Sequence, residues 1–379
     1  MYKLFSVLLV VLTFSAAAQI PQDSVRDEIT LLFLGDIMGH GPQITAAYDA
    51  GTKTYNYDDC FKYIKDELSD ADYTIGNLEV TLAGPAYSGY PQFSSPDALA
   101  QACRDAGMDV LVTANNHTCD RGAEGIIRTV NVLDTLKIMH TGSFLDAADR
   151  ERDHPLFIEN DCFRLAILNY TYGTNGLPFP APTIVNLLDK EQIKKDMEIA
   201  KANNVDKIIV VVHWGDEYML QPIPYQVDFG NYIFEQGADM IIGAHPHVLE
   251  KMIWEKGIDS LGNERLIVYS LGNFVSNQRK RYTDGGAMFK MTLRKEGKKS
   301  FIKDAGYMLT WVYTPAEADG KKYYILPAAK YESDTAFFDA RASYDQMMIF
   351  VNDSRKLFGE ENKNVPEYIY KNEKWALKE

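Results

Sequence analysis

The chain has 379 residues, 46% hydrophobic and 24% charged, a globular balance that excludes a disordered, collagenous or coiled-coil protein. Acidic residues outnumber basic ones by 53 to 39, and a net charge of −14 repels nucleic-acid backbones and anionic membrane faces. No nucleic-acid partner is expected.

Residues 1–18 read as a secretory signal peptide. Lys3 supplies the positive start, residues 4–14 an apolar run, and Ala16-Ala17-Ala18 a small-residue cleavage site near Ala18. The run falls short of the roughly 20 residues a spanning helix needs. Export to the periplasm or the cell surface is therefore expected. Cys60, Cys103, Cys119 and Cys162 would then enter an oxidising compartment, but their spacing selects no pairing. A chain this long builds a core without disulfides, so buried thiols are expected.

The segments that follow alternate short β-branched runs with amphipathic stretches. Strands are predicted over 30–34, 72–75, 109–113, 207–212, 239–242 and 266–270, and helices over 57–68, 96–106, 122–136, 190–202 and 225–236. Apolar strands alternating with helices predict a sheet system covered on both faces. From about Gly285 the pattern turns to antiparallel strands over 287–293, 301–307 and 322–326, then a helix over 334–357 and a loose, charged end over 362–379. One main domain over 28–310 with a C-terminal extension over 311–379 is the expected organisation.

Most of these strands end on a polar residue. Asp36 follows the first, Asn77 and then Glu79 the second, Asn116 and His117 the third, His213 the fourth, His245 and His247 the fifth, and Asn273 the sixth. In open α/β sheets, sites form in the crevice beyond the carboxyl ends of the strands. Imidazole mixed with carboxylate suits zinc, iron or manganese better than calcium or magnesium. His245-Pro246-His247 places two rings on one side of an extended segment. Each residue alone has an ordinary reading as a turn or cap; together they point to a metal centre.

The ordered blocks Gly35-Asp36-Ile37-Met38, Gly76-Asn77-Leu78-Glu79, Ala114-Asn115-Asn116-His117-Thr118-Cys119-Asp120-Arg121-Gly122, His213-Trp214-Gly215-Asp216-Glu217-Tyr218, Gly243-Ala244-His245-Pro246-His247 and Leu271-Gly272-Asn273-Phe274 resemble the CapA family of bacterial capsule-synthesis proteins. So does Thr171-Tyr172-Gly173-Thr174-Asn175-Gly176. The resemblance implies a four-layer α/β/β/α sandwich similar to calcineurin-like metallophosphoesterases, a link to poly-γ-glutamate capsule synthesis at the cell envelope, and one or two divalent ions (Mn, Zn or Fe). It implies Asp36, Glu79, Asn116, His213, His245 and His247 as metal ligands. His117, oriented by Asp120, is expected as general acid, with Glu217 as an alternative acid or base. Met38 stands where the phosphoesterase pattern has a histidine, and Asn77 where it has a bridging carboxylate. Glu79 is the available substitute, and His40 a weaker one.

Asn77, Arg121, Asn273 and Arg279 are expected to bind substrate, Arg279 as part of the cationic run Arg279-Lys280-Arg281. The expected partners are an anionic polymer or a phosphorylated small molecule, together with membrane-bound capsule-synthesis proteins. A metal-dependent hydrolase or transferase acting on a phosphoester or γ-glutamyl amide is the leading reading. A non-catalytic accessory factor that binds polymer or a synthase, and a general secreted phosphodiesterase or nucleotidase, are the alternatives. In the last case residues 170–182 offer a surface for stacking a base or sugar.

Overall fold

In the computed structural model, residues 27–258, 262–317 and 320–378 are described; the signal segment expected over 1–18 lies outside them. Two sheets face each other. The first contains β1 (Glu28–Ile37), β2 (Tyr73–Leu78), β3 (Val110–Val112) and β4 (Met139–Thr141) in parallel succession. The second is built on β5 (Leu156–Glu159), β6 (Arg164–Thr171), β7 (Lys207–His213), β8 (Met240–Ala244), β9 (Leu249–Glu255) and β10 (Arg265–Leu271), in the spatial order β9-β10-β8-β7-β6-β5.

Alternation along the strands makes the layers. Leu31 and Phe33 of β1 pack with Ile209 and Val211 of β7 in the core between the sheets. Leu32 and Leu34 point the other way, into a cluster with Leu99, Cys103 and Leu133 on helices Ala98–Asp105 and Gly122–Leu136. Ile208, Val210 and Val212 meet Ile193, Met197 and Ile233 of helices Lys190–Ala202 and Pro224–Glu235. Ile193, Met197 and Ala200 recur at intervals of four and three, one helical face, and the Asp189 carboxylate caps that helix by accepting from the Gln192 N–H. The result is the four-layer α/β/β/α sandwich. Cys60, Cys103 and Cys119 are buried thiols. Among the described residues no helix is long and apolar enough to cross a membrane.

The first sheet extends further than expected, through one short parallel strand and then three antiparallel ones. Strand β11 (Asn273–Val275) pairs with the end of β1, and β12 (Gly285–Glu296), β13 (Lys299–Tyr313) and β14 (Tyr324–Pro327) widen the first sheet. The boundary expected at 310 falls inside β13, and residues 311–313 with β14 belong to the first sheet. The C-terminal helix runs over Arg341–Glu361, later than the expected 334–357. Residues 362–378 are not loose. They form a hairpin, β15 (Tyr368–Lys371) with β16 (Lys374–Leu377), anchored where Tyr307 N–H donates to the Pro366 carbonyl and Arg355 pairs with Glu367.

The two sheets converge where the site lies. Asp36 is in register with Asn77 on one side and Asn273 on the other, while His213 is in register with Ala244. A side chain at Gly35 would place its Cβ 2.0 Å from the Gly272 carbonyl oxygen, so only glycine lets β1 approach the turn before Asn273 this closely. Asp36 N–H donates to that same carbonyl (2.9 Å).

Candidate metal centre

Five of the expected ligands meet in one buried cleft. Glu79, His213 and His245 form one set of donor atoms lying within 4.8 Å of one another, and Asp36, Glu79 and His247 form a second. Glu79 belongs to both. His247 Nδ1 lies 3.0 Å from Asp36 Oδ2, His245 Nδ1 3.1 Å from His213 Nε2, and His213 Nε2 3.5 Å from Glu79 Oε1. His245 and His247 both hold left-handed backbone, at φ 104° and 58°, a conformation that ordinary side chains avoid and that costs about 1–3 kcal/mol each. The fold sustains that strain to turn both rings into the cleft.

Electrostatics favour a cation here. Glu79 is fully buried and neither of its carboxylate oxygens has a hydrogen-bond partner. Burial, with the nearby Asp36 carboxylate second, pushes its carboxyl well above the usual range. Burial and the neighbouring imidazoles push His213 and His245 well below the usual histidine range, into the neutral form that metals require. Neutral imidazoles and an unpartnered carboxylate are the donor chemistry of a zinc-, iron- or manganese-type site, so these residues fit a divalent ion. Two donor sets sharing one carboxylate would accommodate two.

Asn116, the sixth expected ligand, lies against the same group, and the other expected residues are placed around it. Asn116 Oδ1 lies 2.8 Å from His213 Nε2, and Asn116 Nδ2 donates to Asn175 Oδ1. Asn77, expected at the substrate, donates from Nδ2 to Asp36 Oδ1 (2.8 Å) and lies 3.2 Å from His213 Nδ1; it bridges ligands of the two sets. His117 Nδ1 sits 2.8 Å from Asp120 Oδ2, and that oxygen also accepts from the Phe93 N–H. The pair is buried beside the ligands, leaving Nε2 as the ring nitrogen that Asp120 does not engage.

Four further expected residues take these positions. Glu217 is exposed on the loop after β7, and its charge helps raise the pKa of Glu79 and of Tyr172. Arg121 is exposed and donates to Ser88 Oγ and the Gln92 carbonyl, tying down the 88–92 loop. Asn273 is fully buried; its Nδ2 donates to the backbone carbonyls of His247 and Thr283 and so clamps the histidine loop, while its Oδ1 has no hydrogen-bond partner. Arg279 donates to the Val312 and Ser276 carbonyls, and Arg281 pairs with Asp353, so most of the cationic run is already engaged. Met38 is buried in the apolar cluster under the helices and offers nothing to the cleft. His40 lies apart from both donor sets, against Phe93 and within 3.2 Å of Gln43 Oε1; burial pushes its pKa down to about 4.

The structure adds residues that were not singled out. Asn115 donates to the Leu78 carbonyl (2.8 Å) and accepts from the His117 N–H, fixing the loop that carries the His117–Asp120 pair. Tyr172 packs on His245 with ring centroids 4.7 Å apart, and Tyr218 lies 6.2 Å from His247; both remain partly exposed at the mouth. Tyr172 lies in the 170–182 stretch expected to offer a stacking surface, whereas no chemistry in the sequence marks Tyr218.

Residues 30–278 match the family described as "Bacterial capsule synthesis protein PGA_cap". The chain belongs to this family. Among curated relatives, it is 30% identical over 288 residues to "Capsule biosynthesis protein CapA" of Bacillus anthracis, covering 72% of this chain and 66% of that protein. It is 28% identical over 285 residues to "PGA biosynthesis protein CapA" of Bacillus subtilis (strain 168), covering 73% and 70%. Among solved structures, the calcineurin-like phosphoesterase YfkN from Bacillus subtilis aligns at 13% identity with a TM-score of 0.44, over 74% of this chain and 90% of that one. The match to the capsule-synthesis family spans both donor sets and ends at Gln278, just before the Arg279-Lys280-Arg281 run.

Proposed function

We propose that this CapA-type protein is exported to the cell envelope and works there in capsule synthesis as a metal-dependent hydrolase or transferase. Its substrate would be a phosphoester or γ-glutamyl amide of an anionic polymer or phosphorylated small molecule, handled beside membrane-bound synthesis proteins. One observation supports the reading: Glu79, fully buried with neither oxygen hydrogen-bonded, is common to two sets of imidazole and carboxylate donors. A buried carboxylate without hydrogen bonds is costly as an anion, so it either takes up a proton or holds a cation, and the imidazoles beside it supply the further donors a cation needs.

Asp36, Glu79 and His247 would hold one ion, and Glu79, His213 and His245 a second. A bound divalent ion lowers the pKa of water and polarises a phosphoryl or carbonyl oxygen. Asn116 Oδ1, which lies beside the same His213 Nε2, would join the second ion, and Asn77 keeps Asp36 and His213 oriented. Asp120 fixes the His117 ring through Nδ1, so Nε2 is the atom that delivers a proton to the leaving group. Tyr172 and Tyr218 narrow the mouth.

Elemental analysis of the purified protein, paired with hydrolysis of a chromogenic phosphodiester and of γ-glutamyl peptides, tests this. One or two ions per chain are expected, both metal and turnover being lost in the His245→Ala/His247→Ala double variant. His117→Ala should keep its metal and lose about 10²–10⁴-fold in rate. A metal-free wild type that still binds polymer would favour the accessory-factor reading, which the withdrawal of Met38 into the apolar cluster and the presence of Asn77 in place of a carboxylate support.

A further inference from the structure

Large side chains with apolar faces gather where the metal cleft opens. Tyr172 is 40% exposed, Tyr218 46% and its neighbour Met219 48%, while Tyr90, 74% exposed, lies near enough to act on the Tyr218 hydroxyl. Single exposed rings are ordinary, but several at one opening mark a surface that meets a ligand. Both inner tyrosines are pinned by their backbone to segments that carry metal donors. Tyr172 N–H donates to the His213 carbonyl (2.9 Å), and Tyr218 N–H to the Pro246 carbonyl (2.8 Å). The Tyr172 ring is inclined by only 11° to that of His213 and lies 4.7 Å from that of His245, so it covers one donor set. Tyr218 stands beside His247 of the other. Each ring is thus fixed relative to the donors and still open to solvent.

The charge around these rings is mostly acidic. Asp216 and Glu217 are exposed on the loop between His213 and Tyr218, and neither pairs with a cation among the described residues. Glu217 acts on Glu79 and on both phenols, and Asp216 on Tyr172. Burial first, and the Glu217 charge next, push both hydroxyls up to about 12, so both stay protonated. Lys280 offsets part of this charge, its ammonium 5.7 Å from the centre of the Tyr218 ring. A chain with a carboxylate on every residue meets repulsion from Asp216 and Glu217 at this opening and gains little from an aromatic face. A flat uncharged ring meets no such repulsion and gains the stacking contact.

We propose that this mouth selects a phosphate ester carrying a flat aromatic ring, the phosphate received at the donor sets and the ring lying against Tyr172 and Tyr218. Placing the phosphate rests on the metal-centre reading, whereas the ring's share belongs to the tyrosines alone. Such a mouth favours the phosphoester over the γ-glutamyl amide, and a phosphorylated small molecule over the polymer. An aryl phosphate and a nucleotide share this chemistry and differ in how far the ring stands from phosphorus.

Phosphonates, whose P–C bond resists hydrolysis, test this by titration calorimetry on the full chain with manganese supplied. The probes are methylphosphonate, phenylphosphonate and the phosphonate analogue of AMP, with a glutamate hexapeptide alongside. A ring-bearing phosphonate should bind about tenfold tighter than methylphosphonate, as stacking predicts, and the tighter of the two names the source of the ring. The Tyr172→Leu/Tyr218→Leu variant should bring that ratio to about 1, and Tyr172→Phe/Tyr218→Phe should keep it, because the ring face makes the contact. The ratio compares two ligands on one protein, so a partly misfolded variant loses bound sites without changing it. The proposal is overturned if neither ring-bearing phosphonate binds tighter than methylphosphonate, if the leucine variant keeps the preference, or if the phenylalanine variant loses it. It is also overturned if the glutamate peptide binds tighter than every phosphonate. Methylphosphonate binding that the His245→Ala/His247→Ala variant abolishes, with no preference for a ring, sinks this proposal and leaves the metal-centre reading intact. A ring-bearing phosphonate held through the tyrosines while methylphosphonate fails to bind does the reverse.

Discussion

Two buried clusters in this protein contain the same residue types and do opposite things. In one, Asp196 accepts from both terminal nitrogens of Arg150 (3.2 and 2.6 Å), from the Tyr170 hydroxyl (2.8 Å) and from Gln192 (2.9 Å), with His154 Nε2 3.3 Å away. Burial works against its charge, and the hydrogen bonds from His154 and Arg150 outweigh it, holding the carboxyl below its usual range. In the other cluster, Glu79 is as deeply buried beside histidines and has no hydrogen bond at all. A histidine near a buried acid is thus no sign of a metal by itself. The count of satisfied partners separates a structural network from a set of candidate metal donors.

Breaking the satisfied network should have the largest effect on stability. Asp196→Ala strands Arg150 and His154, and a loss of about 3–5 kcal/mol is expected in chemical denaturation, with the folded fraction retaining its metal. Glu250 lies between the two extremes: Gln226 donates to one oxygen (2.8 Å), the other is unpartnered, and burial raises its pKa to about 8. A raised carboxyl pKa means the folded state holds its proton longer than the unfolded chain. The contribution of Glu250 is therefore most favourable below about pH 4.5 and is lost as pH rises toward 8. Glu250→Gln should remove that decline, a gain of up to about 4 kcal/mol at pH 8 against little at pH 4, read from melting curves across pH.

Glu79→Gln sharpens the contrast from the other side. In chelator it should melt within about 1 kcal/mol of wild type, because burial already favours the neutral carboxyl. Wild type should gain about 2.7 kcal/mol with metal at one hundred times its dissociation constant, and the variant should not. The smallest effect is expected from Asp120→Asn, which keeps the contact to His117 but weakens its hold on the ring proton. About a tenfold fall in rate with unchanged metal content would fit, and a fall in metal content would place Asp120 among the ligand supports instead.

Much of the cleft was legible in the sequence because parallel strands end where ligands must be, so Asp36, His213, His245 and His247 announced themselves by position. What stayed hidden depended on partners far along the chain. The hold of Asn273 Nδ2 on the His247 and Thr283 carbonyls, which ties the histidine loop down, has no local signal. Arg279 reads as a free cation until the Val312 carbonyl appears beside it, 33 residues away. The charged end over 362–379 looked loose because its anchors, Tyr307 and Arg355, belong to a strand and a helix that pattern alone does not bring together. The layered sandwich was easier, since alternating faces such as Leu31/Phe33 against Leu32/Leu34 are a local signal with a global meaning.

The contact between Gly35 and the Gly272 carbonyl has a consequence for how this lineage can diverge. Any methyl group at position 35 pries β1 off the turn and carries Asp36 away from the histidine loop, however intact the ligand letters remain. Among descendants of this chain, loss of that hydrogen-only residue would mark copies whose cleft no longer closes on an ion, before a single ligand had mutated.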